Sequence, residues 1–314
     1  MNPVMRSSND HEYAATFPGS DKRTAAMKAA PVRALLKMVR PLQWLKNLMV
    51  YFPPFLGGAL FLPETLRLWS LMPFAAFCLA SSAAYILNDM ADRDSDARHP
   101  EKSQRPIPSG QLSLSLAAGV CSLLTVGACA AAWLVSLPFL WYLLAYLLVS
   151  TAYSLRLKDY TLVDIFCISA GFVLRLQAGG AAFGIAVSEW LFLSVFLLSL
   201  FLSTGKRLAE KRELGAHAAG HRKALDGYPP GYLEMIMQVT AGAVLVTYTM
   251  YVISRHSALL LISVPLCCFG LFRYMLRIHN GKSGDPTESL TRDVPLLLVG
   301  LVWVVLVGWG IYGR

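Results

Sequence analysis

Asn88, Asp92 and Asp96 recur every fourth residue, directly behind the apolar stretch "LMPFAAFCLASSAAYIL". Four residues of an α-helix turn through about 400° and rise about 6 Å, so the three side chains keep to one face. A ladder of hard oxygen donors suits Mg²⁺, which takes few protein ligands and leaves room for water and substrate phosphate. Asp89 and Asp94 point off that face, toward a supporting role or the solvent. The plain alternative is an acidic helix end at a membrane surface, although acids at a helix C-terminus oppose its dipole. Arg93, Arg98, Lys102 and Arg105 follow at once. Carboxylates for a cation, next to Arg and Lys for phosphate oxygens, equip a site for a diphosphate-bearing substrate.

The elements that carry these residues are membrane spans. The chain has 314 residues, 55% of them hydrophobic and only 15% charged, against about 25% charged in an ordinary soluble domain. A helix needs about 20 apolar residues to cross a bilayer. Nine stretches qualify, at 43–62, 70–89, 113–134, 138–156, 162–183, 188–205, 232–253, 258–278 and 293–312. The expected fold is an all-α integral membrane protein, a bundle of nine transmembrane helices. Pro53, Pro54, Gly57 and Gly58 make the first span the least regular. Residues 1–30 are polar, lack the apolar core of a signal peptide, and read as a disordered cytoplasmic tail before one membrane domain, 31–314.

Lys and Arg crowd the tail and the loops near 90–112, 156–161, 206–231 and 279–292, whereas the other side keeps Arg67, Arg255 and Arg314. The positive-inside rule then puts the N-terminus and every charged cluster in the cytoplasm. It also explains most of the net charge of +9 without nucleic acid as a partner. The six cysteines lie in apolar runs without metal-ligand spacing and read as small hydrophobes. No phosphate loop, dinucleotide turn or Ser/His/Asp set stands out.

"NDMAD" (88–92) behind the second of nine spans resembles the UbiA-type intramembrane prenyltransferase superfamily. Four segments narrow the resemblance to its decaprenyl-phosphate phosphoribosyltransferase branch: "RPLQWLKN" (40–47), "NDMADRDSDARHPEKSQRPIPSG" (88–110), "YSLRLKDYTLVDIFCISAGFVLRLQAGGAA" (153–182) and "STGKRLAEK" (203–211). "RYMLRIHNGKSGDPTESLTRD" (273–293) fits more loosely, and the likeness covers 31–314. It implies a UbiA-type catalytic domain in the plasma (inner) membrane with Mg²⁺ as cofactor. The implied reaction moves 5-phosphoribose from phosphoribosyl diphosphate (PRPP) to a long polyprenyl phosphate of the decaprenyl type. Diphosphate leaves, and the product feeds arabinose donors for cell-wall polysaccharide. The second acidic motif of the superfamily, often DxxxD, is absent here, because Asp159 and Asp164 stand five apart. Tyr153 and Lys158 precede Asp164 instead, and a Lys there suits a donor with an additional phosphate.

Resemblance and chemistry together imply that Asn88, Asp92 and Asp96 hold Mg²⁺ and that Asp92, Asp96 and Lys158 are catalytic. Lys46, Arg105 and Lys158 end three cytoplasmic helices and converge on phosphates, although topology alone also accounts for such charges. Tyr153 joins the substrate-binding set. Asp164 reads as a further metal ligand, an acceptor for a ribose hydroxyl, or a helix-start acid favoured by the dipole. Lys206 and Arg207 bind phosphate or snorkel, and Arg40 is a weaker candidate. Arg175 lies about 16 Å beyond Asp164 along its helix and must face the protein interior. A lipid phosphate, an ion pair or backbone carbonyls would each explain it, so it stays outside the catalytic set. Two other functions compete: prenyl transfer from a prenyl diphosphate to an aromatic acceptor, and transport without chemistry. Transport fits less well, because the acids gather at one face instead of the midplane.

Overall fold

Eight of the nine expected spans form long apolar helices. A computed structural model describes residues 32–63, 65–98, 102–214 and 223–313; the expected tail, 1–30, lies outside them. In chain order the helices are α1 Met72–Ala91, α2 Leu114–Val135, α3 Leu137–Leu155, α4 Val163–Phe183, α5 Glu189–Leu214, α6 Tyr232–Ser254, α7 Ser263–His279 and α8 Val294–Tyr312. The described residues contain no strand. This is an all-α, multi-pass membrane protein.

The first span takes another form. Arg40 follows a helix at 32–39 and adopts φ 53°, ψ 63°, after which a 3₁₀-helix, Pro41–Tyr51, runs into a short α-helix, Phe52–Leu56. Pro41 cannot continue the helix before it, and Pro53, Pro54 and the Gly57–Gly58 pair curtail the one after. A 3₁₀ segment rises about 2 Å per residue. Pro41–Leu56 therefore covers about 30 Å, the thickness of a hydrocarbon core. The crossing is long enough, yet it is not a regular α-helix.

This irregular segment lies between α1 and α4. Membrane helices gain little by hiding apolar surface from lipid, so close backbone packing at small residues holds them together. α4 offers such a surface at Ala178, Gly179 and Gly180. A Cβ on Gly179 would stand only 2.1 Å from the carbonyl oxygen of Val50. Val50, Phe77, Phe139, Tyr146 and Ala178 form the core where the segment meets α1, α3 and α4. Beyond it α4 packs on α5, α5 on α6, and α7 on α8.

Two features bring charge to the site. α5 continues past the expected end of its span, to Leu214, because "KRLAEKREL" is rich in helix formers. Lys206, Arg207 and Glu210 consequently sit on a rigid helix instead of a loop. The α7–α8 connection lies directly on α5: a Cβ on Gly284 would meet the Lys206 Cα at 2.7 Å. The next residue, Asp285, caps the short helix Pro286–Arg292 by accepting from the backbone N–H of Thr287 (3.0 Å) and Glu288 (3.1 Å).

Candidate active site

A polar cavity of about 230 Å³ opens among the basic-side ends of α1, α3, α4 and α5 and the Pro41–Tyr51 segment. Asn88, Asp92, Lys46, Arg105, Tyr153 and Lys206 line it, all of them expected from sequence. Asp96, Lys158, Asp164 and Arg207 do not line it and stand behind its wall.

The acidic ladder bends at its second rung. α1 ends at Asp92, where φ −94° and ψ 5° leave the helix and the short helix Arg93–Asp96 begins. Asp96 therefore departs from the face of Asn88 and Asp92. It is buried and accepts from Arg105 Nη1 at 2.7 Å, with Lys102 Nζ at 3.8 Å. Asp89, read as a supporting or solvated acid, is the deeper of the two. Arg40 Nη2 reaches both its oxygens (2.5 and 2.8 Å), and Arg105 Nη1 adds a third contact at 3.0 Å. Arg40 makes these contacts from a left-handed backbone conformation that costs a non-glycine residue about 1–3 kcal/mol. Lys158, sixty-six residues from Asp92, pairs with it directly.

Asn88 and Asp92 are the part of the predicted ligand set that fits Mg²⁺. The Asn88 Oδ1 is buried without a hydrogen-bond partner, and leaving such an acceptor unsatisfied costs about 1–3 kcal/mol. A cation beside Asp92 would use it. Among the described residues no three His, Cys, Asp or Glu side chains close into a metal cage.

Behind the wall, Asp164 is fully buried, and its two oxygens accept from Arg207 Nε (2.5 Å) and the Tyr228 hydroxyl (2.6 Å). Arg207 also donates to Glu210 (2.7 Å) and to the Tyr153 hydroxyl (2.9 Å). Asp164 and Arg207, both expected to bind substrate, are turned toward each other here. They clamp α4 to α5 and fix Tyr153 at the cavity wall.

Arg175 reaches the same cavity from the membrane interior. Its Nε donates to Asn47 Oδ1 (2.8 Å), Nη1 to the Gly171 carbonyl (2.8 Å) and Nη2 to the Tyr146 hydroxyl (3.0 Å). Sequence reasoning missed Asn47 and Asp285. Asp285 faces Lys46 at 3.6 Å and Lys206 at 3.9 Å. Burial pushes its carboxyl up, but the two lysines and the N–H groups of Glu288 and Thr287 outweigh that and hold it below the usual carboxylate range. In sequence, an acid before Pro286 signals only a helix cap.

The model of the UbiA prenyltransferase family matches residues 51–297. The decaprenyl-phosphate phosphoribosyltransferase of Mycobacterium tuberculosis is 34% identical over 284 residues, which cover 88% of this chain and 94% of that one. The enzyme of that name from Mycolicibacterium smegmatis is 32% identical over 296 residues, with coverages of 90% and 93%. Among solved structures, a UbiA homolog from Archaeoglobus fulgidus bound to GPP and Mg²⁺ has a TM-score of 0.69 at 18% identity. That match covers 90% of this chain and 100% of the other, and it shows a common fold. Fold, motif and sequence agree: the chain belongs to the UbiA prenyltransferase family.

Proposed function

We propose that this membrane transferase moves 5-phosphoribose from phosphoribosyl diphosphate to a long-chain polyprenyl phosphate, releasing diphosphate. The observation that carries this reading is the charge of the polar cavity. Arg40, Lys46, Lys102, Arg105, Arg175 and Lys206 all line it, and Arg175 brings a cation to its deep end. A prenyl diphosphate has one charged head and an apolar tail, so the space beyond the head should be apolar. Phosphoribosyl diphosphate carries phosphate at both ends of a polar sugar. The relatives named for this activity support the same choice.

A second cavity supports a site for the acceptor beside that for the donor. An apolar cavity of about 380 Å³ lies among α5, α6, α7 and α8, with Phe52 and Leu56 on one side and Pro286 at its edge. Pro286 adjoins Asp285, the partner of Lys46 and Lys206, so a polyprenyl tail in this cavity would present its phosphate toward those lysines. An oxygen of that phosphate bonds to ribose C1 while the C1–O bond to diphosphate breaks, and the bonding pair leaves with diphosphate. The attacking phosphate is already an anion, so no strong general base is required. Asn88 and Asp92 would hold Mg²⁺, which when bound neutralises charge on the leaving group. Arg105 adds charge-assisted contacts at the same end, and Lys158 holds Asp92 in place through their ion pair. Attack opposite the leaving group inverts C1. The basic loops support a site at the cytoplasmic face of the plasma membrane, and the product would supply arabinan precursors.

A second reading is prenyl transfer to an aromatic acceptor. The apolar cavity favours it, since the same space would hold a prenyl donor. Turnover in nanodiscs with each donor separates the two. Phosphoribosyl diphosphate with polyprenyl phosphate should react, and Lys158→Ala, which removes the ion-pair partner of Asp92, should slow the reaction about 10- to 100-fold. Reaction with a prenyl diphosphate alone would reverse the choice.

A further inference from the structure

We propose that Arg175 is the anchor for the donor's 5-phosphate, a phosphate subsite at the floor of the polar cavity. The proposal rests on the phosphoribosyl reading above. It begins from the pairing of the lining cations. Arg40 has Asp89, Lys102 has Asp96, Arg105 has both, and Lys46 and Lys206 share Asp285. Among the described residues, Arg175 is the lining cation with no carboxylate within 4 Å, and it is only 5% exposed.

Its hydrogen bonds do not remedy this. They engage three of the five N–H donors of a guanidinium, and every acceptor is neutral. A neutral side chain would make comparable bonds without the cost of a charge at membrane depth. The three acceptors come from the Pro41–Tyr51 segment, α3 and α4, and Tyr146 also stacks under the guanidinium at 4.4 Å. The planar fork is therefore fixed, with donors to spare beside the cavity, as recognition of a phosphate demands.

Depth identifies which phosphate. The Arg175 Cζ lies 5.8 Å from the Phe77 ring, and Phe77 stands about 16 Å, some three turns, below Asn88 along α1. The lipid phosphate must reach C1, beside the diphosphate at the Asn88–Asp92 end. The 5-phosphate hangs from the opposite side of the ribose. A donor with its diphosphate at the acids and its 5-phosphate at Arg175 lies along the cavity with C1 near the mouth.

The test uses the full chain in nanodiscs and three probes: ribose 5-phosphate, diphosphate with Mg²⁺, and farnesyl phosphate. Two variants are compared with the parent. Arg175→Gln removes the charge; Asn47→Asp leaves Arg175 in place but gives it a carboxylate where it now has an amide. Both should weaken ribose 5-phosphate binding at least tenfold and change diphosphate binding less than twofold. Should Arg175→Gln fail to fold, Asn47→Asp decides alone. Equal weakening of both probes, or unchanged ribose 5-phosphate binding, would mean that Arg175 only ties the helices together. Selective loss of farnesyl phosphate would assign the subsite to the lipid and overturn the proposal. If the parent binds a prenyl diphosphate but neither phosphoribosyl diphosphate nor ribose 5-phosphate, the donor reading itself fails.

Discussion

Asn88 presents an amide oxygen that no neighbour uses. If a cation uses it, Asn88→Ala should raise the Mg²⁺ concentration for half-maximal turnover by roughly 10- to 100-fold, the effect of losing a residue that tunes a metal site. An unchanged Mg²⁺ titration would remove Asn88 from the ligand set. Asp285 makes a prediction in pH. Its carboxyl sits below the ordinary value, so the fold favours the ionised form. The resulting stability is complete above the unfolded value of about 3.9 and drains away as pH falls through the lower folded value. The gap in thermal midpoint between the parent and Asp285→Asn should be constant from neutral pH to about 5 and close below about 4; a gap that widens on acidification would contradict the pairing. At this scale the sequence was partly legible. Helical spacing was enough to put Asn88 and Asp92 together, but the break at Asp92 that redirects Asp96 has no local signal. Lys158 meets Asp92 and Asp285 meets Lys46 through tertiary packing, which spacing cannot express.

Among the elements, α4 bears the most on the site, because it carries Asp164, Arg175 and the small-residue stripe. Gly179→Val would place a side chain against the Val50 backbone, and backbone cannot step aside as a flexible side chain can. A loss of about 1–3 kcal/mol is expected from such overpacking, read as a lower midpoint in detergent unfolding; a stable Gly179→Val would show that the Pro41–Tyr51 segment is not pinned there. Asp164→Ala strands Arg207 with Glu210 as its remaining acidic partner, so it should cost about 3 kcal/mol, the lower range for breaking a buried pair. Its thermal midpoint should fall while Mg²⁺ dependence in the surviving protein stays unchanged. A shifted Mg²⁺ titration would instead return Asp164 to the metal. Hydropathy located the long helices well, since membrane thickness dictates their length. It failed at the two ends where other physics governs. Proline and glycine marked a break in the first span without indicating a 3₁₀ crossing, and the apolar criterion stopped α5 where its charged helix formers continue.

For the whole molecule, the sequence carries an expectation of sidedness before the fold, because Lys and Arg are retained in cytoplasmic loops. The all-α UbiA-type bundle followed from span count and motif together, with eight of the nine expected spans forming long apolar helices among the described residues. What the chain could not declare is that a polar and an apolar cavity come together beside Asp285, for that depends on the α7–α8 connection lying on α5. The juxtaposition makes the central claim directly measurable. Phosphoribosyl diphosphate would be labelled separately in the ribose and in the outer phosphate, then given to the nanodisc-embedded chain with Mg²⁺ and polyprenyl phosphate. The account predicts that ribose label enters the lipid fraction while the phosphate label stays in water as diphosphate, one for one, and that Asp92→Ala abolishes both. No transfer by the folded protein, together with prenylation of an aromatic acid from prenyl diphosphate, would contradict it.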